Sequence, residues 1–129
     1  MIKLNTLLLL ISLSVLAAVH LIALELYLYW YYLWLDIPVH FLGGVVVSLG
    51  LFAATEMRLL FAAFWSARFW RVSIVVWLVM ISWEVFEVWA GIPMLDNYVF
   101  DTALDLAVGW AGGTVGFLLA RRINEFNKI

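Results

Sequence analysis

The residues best suited to chemistry are acidic, and they stand in an otherwise apolar chain. Asp36 and His40 are four apart, Glu84 and Glu87 three apart, and Asp101 and Asp105 four apart. On helices each pair therefore occupies one face. Carboxylate oxygens joined by an imidazole suit hard or borderline divalent cations such as Mg²⁺, Mn²⁺, Ca²⁺, Fe²⁺ or Zn²⁺. The spacing predicts Asp36, His40, Glu84 and Asp105 as metal ligands. Glu87 or Asp101 is then the expected general base toward a water activated by the ion. His20 offers a further ligand or, ahead of that, a helix-to-helix hydrogen bond, and Glu25 and Asp96 read as interfacial and solvated. Glu-x-x-Glu and Asp-x-x-x-His are not the Glu-x-x-His pairs of di-iron bundles. With no cysteine there is no thiolate site or disulfide. The chain has neither a Gly-x-Ser-x-Gly elbow nor a phosphate-cradling glycine loop before a lysine.

The elements that must position these residues are membrane spans. Of 129 residues, 67% are hydrophobic and 12% charged, far from the composition of a soluble domain. A span needs about 20 apolar residues, and the apolar blocks predict four, at about 4–27, 37–55, 72–90 and 101–120, with a tail over 121–129. The reading is a single all-α transmembrane domain, a four-helix bundle. An N-terminal lysine followed by leucines also fits a secretory signal, but the apolar run continues through Trp34, so an uncleaved first span is expected. The segment from Met57 to Arg71 reads as a short interfacial helix or a plain loop. Gly109/Gly113 and Gly112/Gly116 form small-xxx-small pairs, a packing surface within the bundle or, failing that, a face for a second subunit.

Charge orients the bundle. Lys3, Arg58, Arg68, Arg71, Arg121, Arg122 and Lys128 all fall in segments that an even number of spans puts on one side. The positive-inside rule makes that side, with both termini, cytoplasmic. Tyr27, Tyr29, Trp30, Tyr31, Tyr32 and Trp34 read as the outer aromatic belt, and Phe61, Phe64, Trp65, Phe69 and Trp70 as the inner one. Glu25, Asp36, Glu84, Glu87, Asp96, Asp101 and Asp105 then gather toward the outer face without a basic partner. At a rise of about 1.5 Å per residue, His40 and Asp105 each lie roughly 6 Å inward of the acid at the start of their helix, close to the level of Glu84. Ionised groups at that depth each cost several kcal/mol unless partnered. Helix dipoles contribute only about 0.3–1 kcal/mol each, so bound cations or shared protons must supply the rest.

The segments DIPVHFLGG (36–44), SWEVFEVWAG (82–91) and VFDTALDLAVGWAGGTVG (99–116) resemble the motif series of the YjdF-like small inner-membrane proteins. That group is similar in turn to the VanZ-like family. The resemblance covers about residues 30 to 120 and implies a multi-span bundle with Asp36, His40, Glu84, Glu87, Asp101 and Asp105 as motif positions. Val108 or Gly109 stands where the VanZ-like pattern has an asparagine.

Three functions follow as expectations. The leading one is an outer-leaflet carboxylate/His site that binds a divalent metal and acts on a lipid or lipid-linked head group. The alternatives are an accessory or assembly subunit with structural acids, and a proton- or cation-coupled transporter. The net charge of −2 gives no basic excess for nucleic acid.

Overall fold

The computed structural model describes residues 3–91 and 97–126. Its elements are α1 (Leu4–Glu25), a short α2 (Leu28–Tyr31), a 3-10 turn (Leu33–Leu35), α3 (Asp36–Glu56), α4 (Leu60–Ser66), α5 (Phe69–Ala90) and α6 (Tyr98–Phe126), with no strand among the described residues. Among the described residues four helices are long and apolar enough to cross a membrane: α1, the 3-10 turn continued by α3, α5 and α6. A helix of 22 residues is about 33 Å long, matching a hydrocarbon core of about 30 Å.

The first span stops earlier than its composition suggests. Its helix ends at Glu25 and Tyr27 takes a left-handed conformation, φ 55°, so the aromatic stretch folds into α2 and the 3-10 turn. Tyr27, Tyr31, Tyr32 and Trp34 are exposed there. At the other end α3 closes on a Schellman motif: Leu59 N–H donates to Ala54 O at 3.1 Å and Arg58 N–H to Thr55 O at 2.9 Å. Arg58 holds the left-handed position at φ 64°, where glycine is usual, so the turn is strained. Between α3 and α5 the chain forms a helix, α4. Thr55 and Ser66 share a hydroxyl hydrogen bond of 3.0 Å, and the Arg71 guanidinium lies 3.7 Å from the Phe64 ring centroid. Gly91 ends α5 at φ 67°, a conformation glycine takes without steric cost.

The last helix is longer than expected. The helix does not stop at Ala120 before a tail but continues to Phe126. Ile123 is buried beneath this last turn, Arg121 Nε pairs with Glu125 at 3.1 Å, and Asn124 is bonded to α1. Residues 127–129, including Lys128, lie outside the described residues.

Packing is tightest between α3 and α6. A side chain at Gly44 would overlap the backbone of Gly109 and Gly113, and one at Gly112 would overlap the Phe41 carbonyl. Gly109 and Gly113 also receive Met80 and Val76 of α5, while Gly116 abuts Val45 and Ser48. Both glycine faces of α6 are thus occupied by α3 and α5 of the same chain. Ser48 Oγ donates to Gly113 O at 2.6 Å across the same contact. The apolar core of Leu49, Phe52, Val72, Val76, Met80, Phe117 and Ala120 fills the half of the bundle nearer the termini. At that end Asn5, fully buried, donates from Nδ2 to Glu56 Oε1 and to Asn124 Oδ1, both at 2.8 Å. Thr6 Oγ1 and N–H cover Glu56 Oε2 at 2.8 and 3.3 Å. The start of α1, the end of α3 and the end of α6 therefore meet in one polar knot.

Candidate metal centre

The opposite end of the bundle holds the acids. The chain enters α3 with Asp36 as its first residue and acidic in its first turn, favourable at the positive end of the helix dipole. Pro38 fits within that turn because the N–H it lacks would have no helical partner there. One turn further in, His40 is buried at 3% exposure. On α6 Asp101 occupies the first turn and Asp105, one turn on, is 2% exposed. On α5 Glu84 is 6% exposed and Glu87 is half-buried.

What brings these helices together is the glycine contact below the site. Gly44 follows His40 by four residues and Gly109 follows Asp105 by four, so each lies one turn deeper on the face of its acid or imidazole. Their backbones touch, and the two side chains above them converge. Asp36, His40 and Asp105 offer ligand atoms within 4.8 Å of one another, as do His40, Glu84 and Glu87. These residues are close enough to hold a metal ion. His40 Nε2 lies 3.4 Å from Asp36 Oδ1 and 3.9 Å from Glu84 Oε1, yet neither His40 Nε2 nor Glu84 Oε1 makes a hydrogen bond. Both atoms are buried, a costly state for polar groups without partners.

Asp36, His40, Glu84 and Asp105, the ligands expected from spacing, thus meet through the shared His40. Glu87, expected as a base, stands within the same reach, whereas Asp101 belongs to neither group. Glu25 is exposed. Asp96 lies outside the described residues. His20 bonds through Nδ1 to the Tyr29 hydroxyl at 2.8 Å, tying α1 to α2 and not to another span, and meets the Trp83 ring edge-on at 5.3 Å. Burial, reinforced by the charges of Asp36 and Glu87, holds the Tyr29 phenol above its ordinary pKa, so it remains protonated.

Two supporting residues escaped the sequence reading. Thr102 Oγ1 donates to Glu84 Oε2 at 2.9 Å, which leaves Oε1 toward His40. Trp83 Nε1–H donates to Glu87 Oε1 at 2.9 Å. Hydrogen bonds of this kind orient metal-ligating side chains. Their spacing carried the signal: Thr102 precedes Asp105 by three and Trp83 precedes Glu87 by four, each a same-face interval.

Two apolar clefts flank the site. One, of about 310 Å³, lies between α1, α3 and α5 with His20 and His40 in its wall. The other, of about 400 Å³, runs between α5 and α6 and reaches Glu84 and Thr102. Compared with known proteins, the chain matches no family model, no curated protein and no solved structure, so these side chains and their geometry are what any functional reading must rest on.

Proposed function

We propose that this chain is an integral protein of the cytoplasmic membrane that binds one divalent cation at the outward end of its bundle and acts there on the head group of a lipid or lipid-linked substrate. The observation that carries the reading is His40: its Nε2 is buried, without a hydrogen bond, and faces carboxylates from α3 and α5. A ligated cation relieves that arrangement in one step. The positive-inside rule supports the orientation, because among the described residues Lys3, Arg58, Arg68, Arg71, Arg121 and Arg122 all fall at the termini end.

Asp36, His40, Glu84 and Asp105 hold the ion in this reading, with Thr102 fixing the Glu84 carboxylate. When bound, the ion polarises a head-group oxygen and makes a coordinated water more acidic. Glu87 and Asp101 flank the ligands and accept the proton that the reaction releases. The apolar walls on either side exclude bulk water and admit substrate laterally from the bilayer.

Metal analysis of detergent-purified protein after incubation with Mn²⁺ or Zn²⁺ tests this. The native chain retains about one ion per protein, and Glu84→Gln combined with Asp105→Asn loses it. A native protein that stays metal-free overturns the reading. A second reading, an assembly subunit with structural acids, draws on Glu84 and Glu87 already accepting hydrogen bonds from Thr102 and Trp83. There the neutral replacements leave fold and phenotype unchanged, and a partner co-purifies. Transport has less support. Ser48 and Ser12, in the spans below the site, donate to the backbone carbonyls of Gly113 and Leu8, which commits two hydroxyls that a proton relay would need.

A further inference from the structure

The basic residues at the termini end outnumber the acids available to pair with them. Among the described residues Lys3, Arg58, Arg68, Arg71, Arg121 and Arg122 stand there against Glu56 and Glu125 alone. Both acids are already engaged. Glu56 accepts hydrogen bonds from Asn5 and Thr6, and Glu125 pairs with Arg121. Among the described residues, then, no carboxylate is in salt-bridge contact with Arg58, Arg68, Arg71 or Arg122.

Of these four, Arg71 is held most firmly. It stands in the first turn of α5, which has no acidic residue. Its Nη1 donates to Phe64 O at 2.9 Å, one of the last carbonyls of α4, which the helix itself leaves unpaired. The guanidinium lies 3.7 Å from the Phe64 ring centroid and 5.1 Å from that of Trp70. A neutral carbonyl and two neutral rings fix the cation without cancelling its charge. A guanidinium carries five N–H donors, and its Nε is buried without a hydrogen-bond partner. Arg68 is exposed and precedes Arg71 by three residues, on the same side of the helix start. The side chains around the pair are apolar and exposed: Leu60, Phe61, Phe64 and Trp70.

Unmatched guanidinium groups set in an apolar rim fit a ligand that is anionic at one end and apolar at the other. We propose that Arg71 and Arg68 bind one anionic phospholipid at the termini end of the bundle. Its phosphodiester oxygens accept from the two guanidinium groups, a pairing for which arginine geometry is suited, and its acyl chains lie beside Phe64 and Trp70. Basic clusters next to membrane spans attract such lipids. The head must carry net charge: a glycerol head leaves the phosphate's negative charge in place, whereas an ethanolamine or choline head cancels it with an ammonium. Free phosphate matches the charge but leaves the aromatic rim uncovered. The site lies at the opposite end of the bundle from His40 and does not depend on the ion-site reading.

Native mass spectrometry of the detergent-purified full chain with dioleoyl phosphatidylglycerol, phosphatidylcholine and phosphatidylethanolamine in turn provides the test. The glycerol lipid is retained about thirtyfold over the other two, roughly fivefold for each arginine near the head group. Arg68→Gln and Arg71→Gln each lower that preference about fivefold. The Arg122 guanidinium lies over Phe126 of its own helix, so Arg122→Gln leaves the preference unchanged. Arg71→Gln also removes a bond between α4 and α5, and Arg68→Gln, at an exposed position, decides the matter if the former fails to fold. Inorganic phosphate at the lipid concentration does not displace the lipid. Equal retention of the three lipids overturns the proposal. So does an equal loss in Arg122→Gln and Arg68→Gln, the mark of summed charge without a site, or displacement by inorganic phosphate, the mark of a site for phosphate alone.

Discussion

Replacing Gly44 by alanine tests whether the α3–α6 backbone contact builds the site. The added methyl would overlap the Gly109 carbonyl and the Gly113 amide, both backbone atoms that no rotamer change can move aside. Gly43 and Gly50 lie in the same helix and serve as controls, since a methyl there meets only the Met80 Cε at 3.6 Å and the Leu9 Cδ1 at 4.0 Å. Alanine improves helix propensity by about 1 kcal/mol at any of the three. That gain cancels in the comparison, and the difference between Gly44→Ala and Gly43→Ala isolates the steric cost, about 1–3 kcal/mol for forced overpacking. Because His40 and Asp105 stand one turn above the contact, separating the helices also parts them, so Mn²⁺ affinity falls together with stability. Unfolding in mixed micelles, followed by tryptophan fluorescence, gives the stability of all three variants, and equilibrium dialysis gives the affinity. If Gly44→Ala is as stable as Gly43→Ala and binds Mn²⁺ equally well, the backbone contact does not set the site and the packing argument is wrong.

Two further outcomes follow from other contacts. Thr102→Val, which keeps the shape and removes the donor to Glu84 Oε2, should weaken Mn²⁺ binding by about 10–100-fold with little change in unfolding, and Thr102→Ser should restore it; equal affinity in all three proteins would remove Thr102 from the site. The orientation is open to direct labelling because the chain has no cysteine: in intact cells a membrane-impermeant maleimide should modify Asn97→Cys and not Glu125→Cys, and the reverse pattern would turn the bundle over.

Much of this was written in local spacing. Runs of about 20 apolar residues marked the spans, and the intervals between Asp36 and His40, Glu84 and Glu87, and Asp101 and Asp105 already put each pair on one helix face. Periodicity within a helix says nothing about which faces meet, however, so the sharing of His40 between two ligand groups and the exclusion of Asp101 required the packed bundle. The end of the α6 helix is hidden in the sequence for a related reason. Arg121 and Arg122 look like a stop, but the helix beyond them is held by tertiary contacts, the burial of Ile123 and the bond from Asn5 to Asn124. Likewise Glu56, on the basic side of the molecule, is satisfied not by an arginine but by Asn5 and Thr6. Those partners are 51 and 50 residues away.

The knot of Asn5, Glu56 and Asn124 bears on how the chain matures. Asn5 leaves the ribosome 119 residues ahead of its partner Asn124, so α1 enters the bilayer long before its last polar contact exists. Until then α1 is held mainly by its packing on α3, and a large apolar surface of that span stays in lipid. Sealing of the bundle therefore waits until the last turn of α6 has been made, as expected of contacts distant in sequence. A nascent chain arrested before residue 124 would carry a loosely held leading helix, open to membrane quality-control proteases.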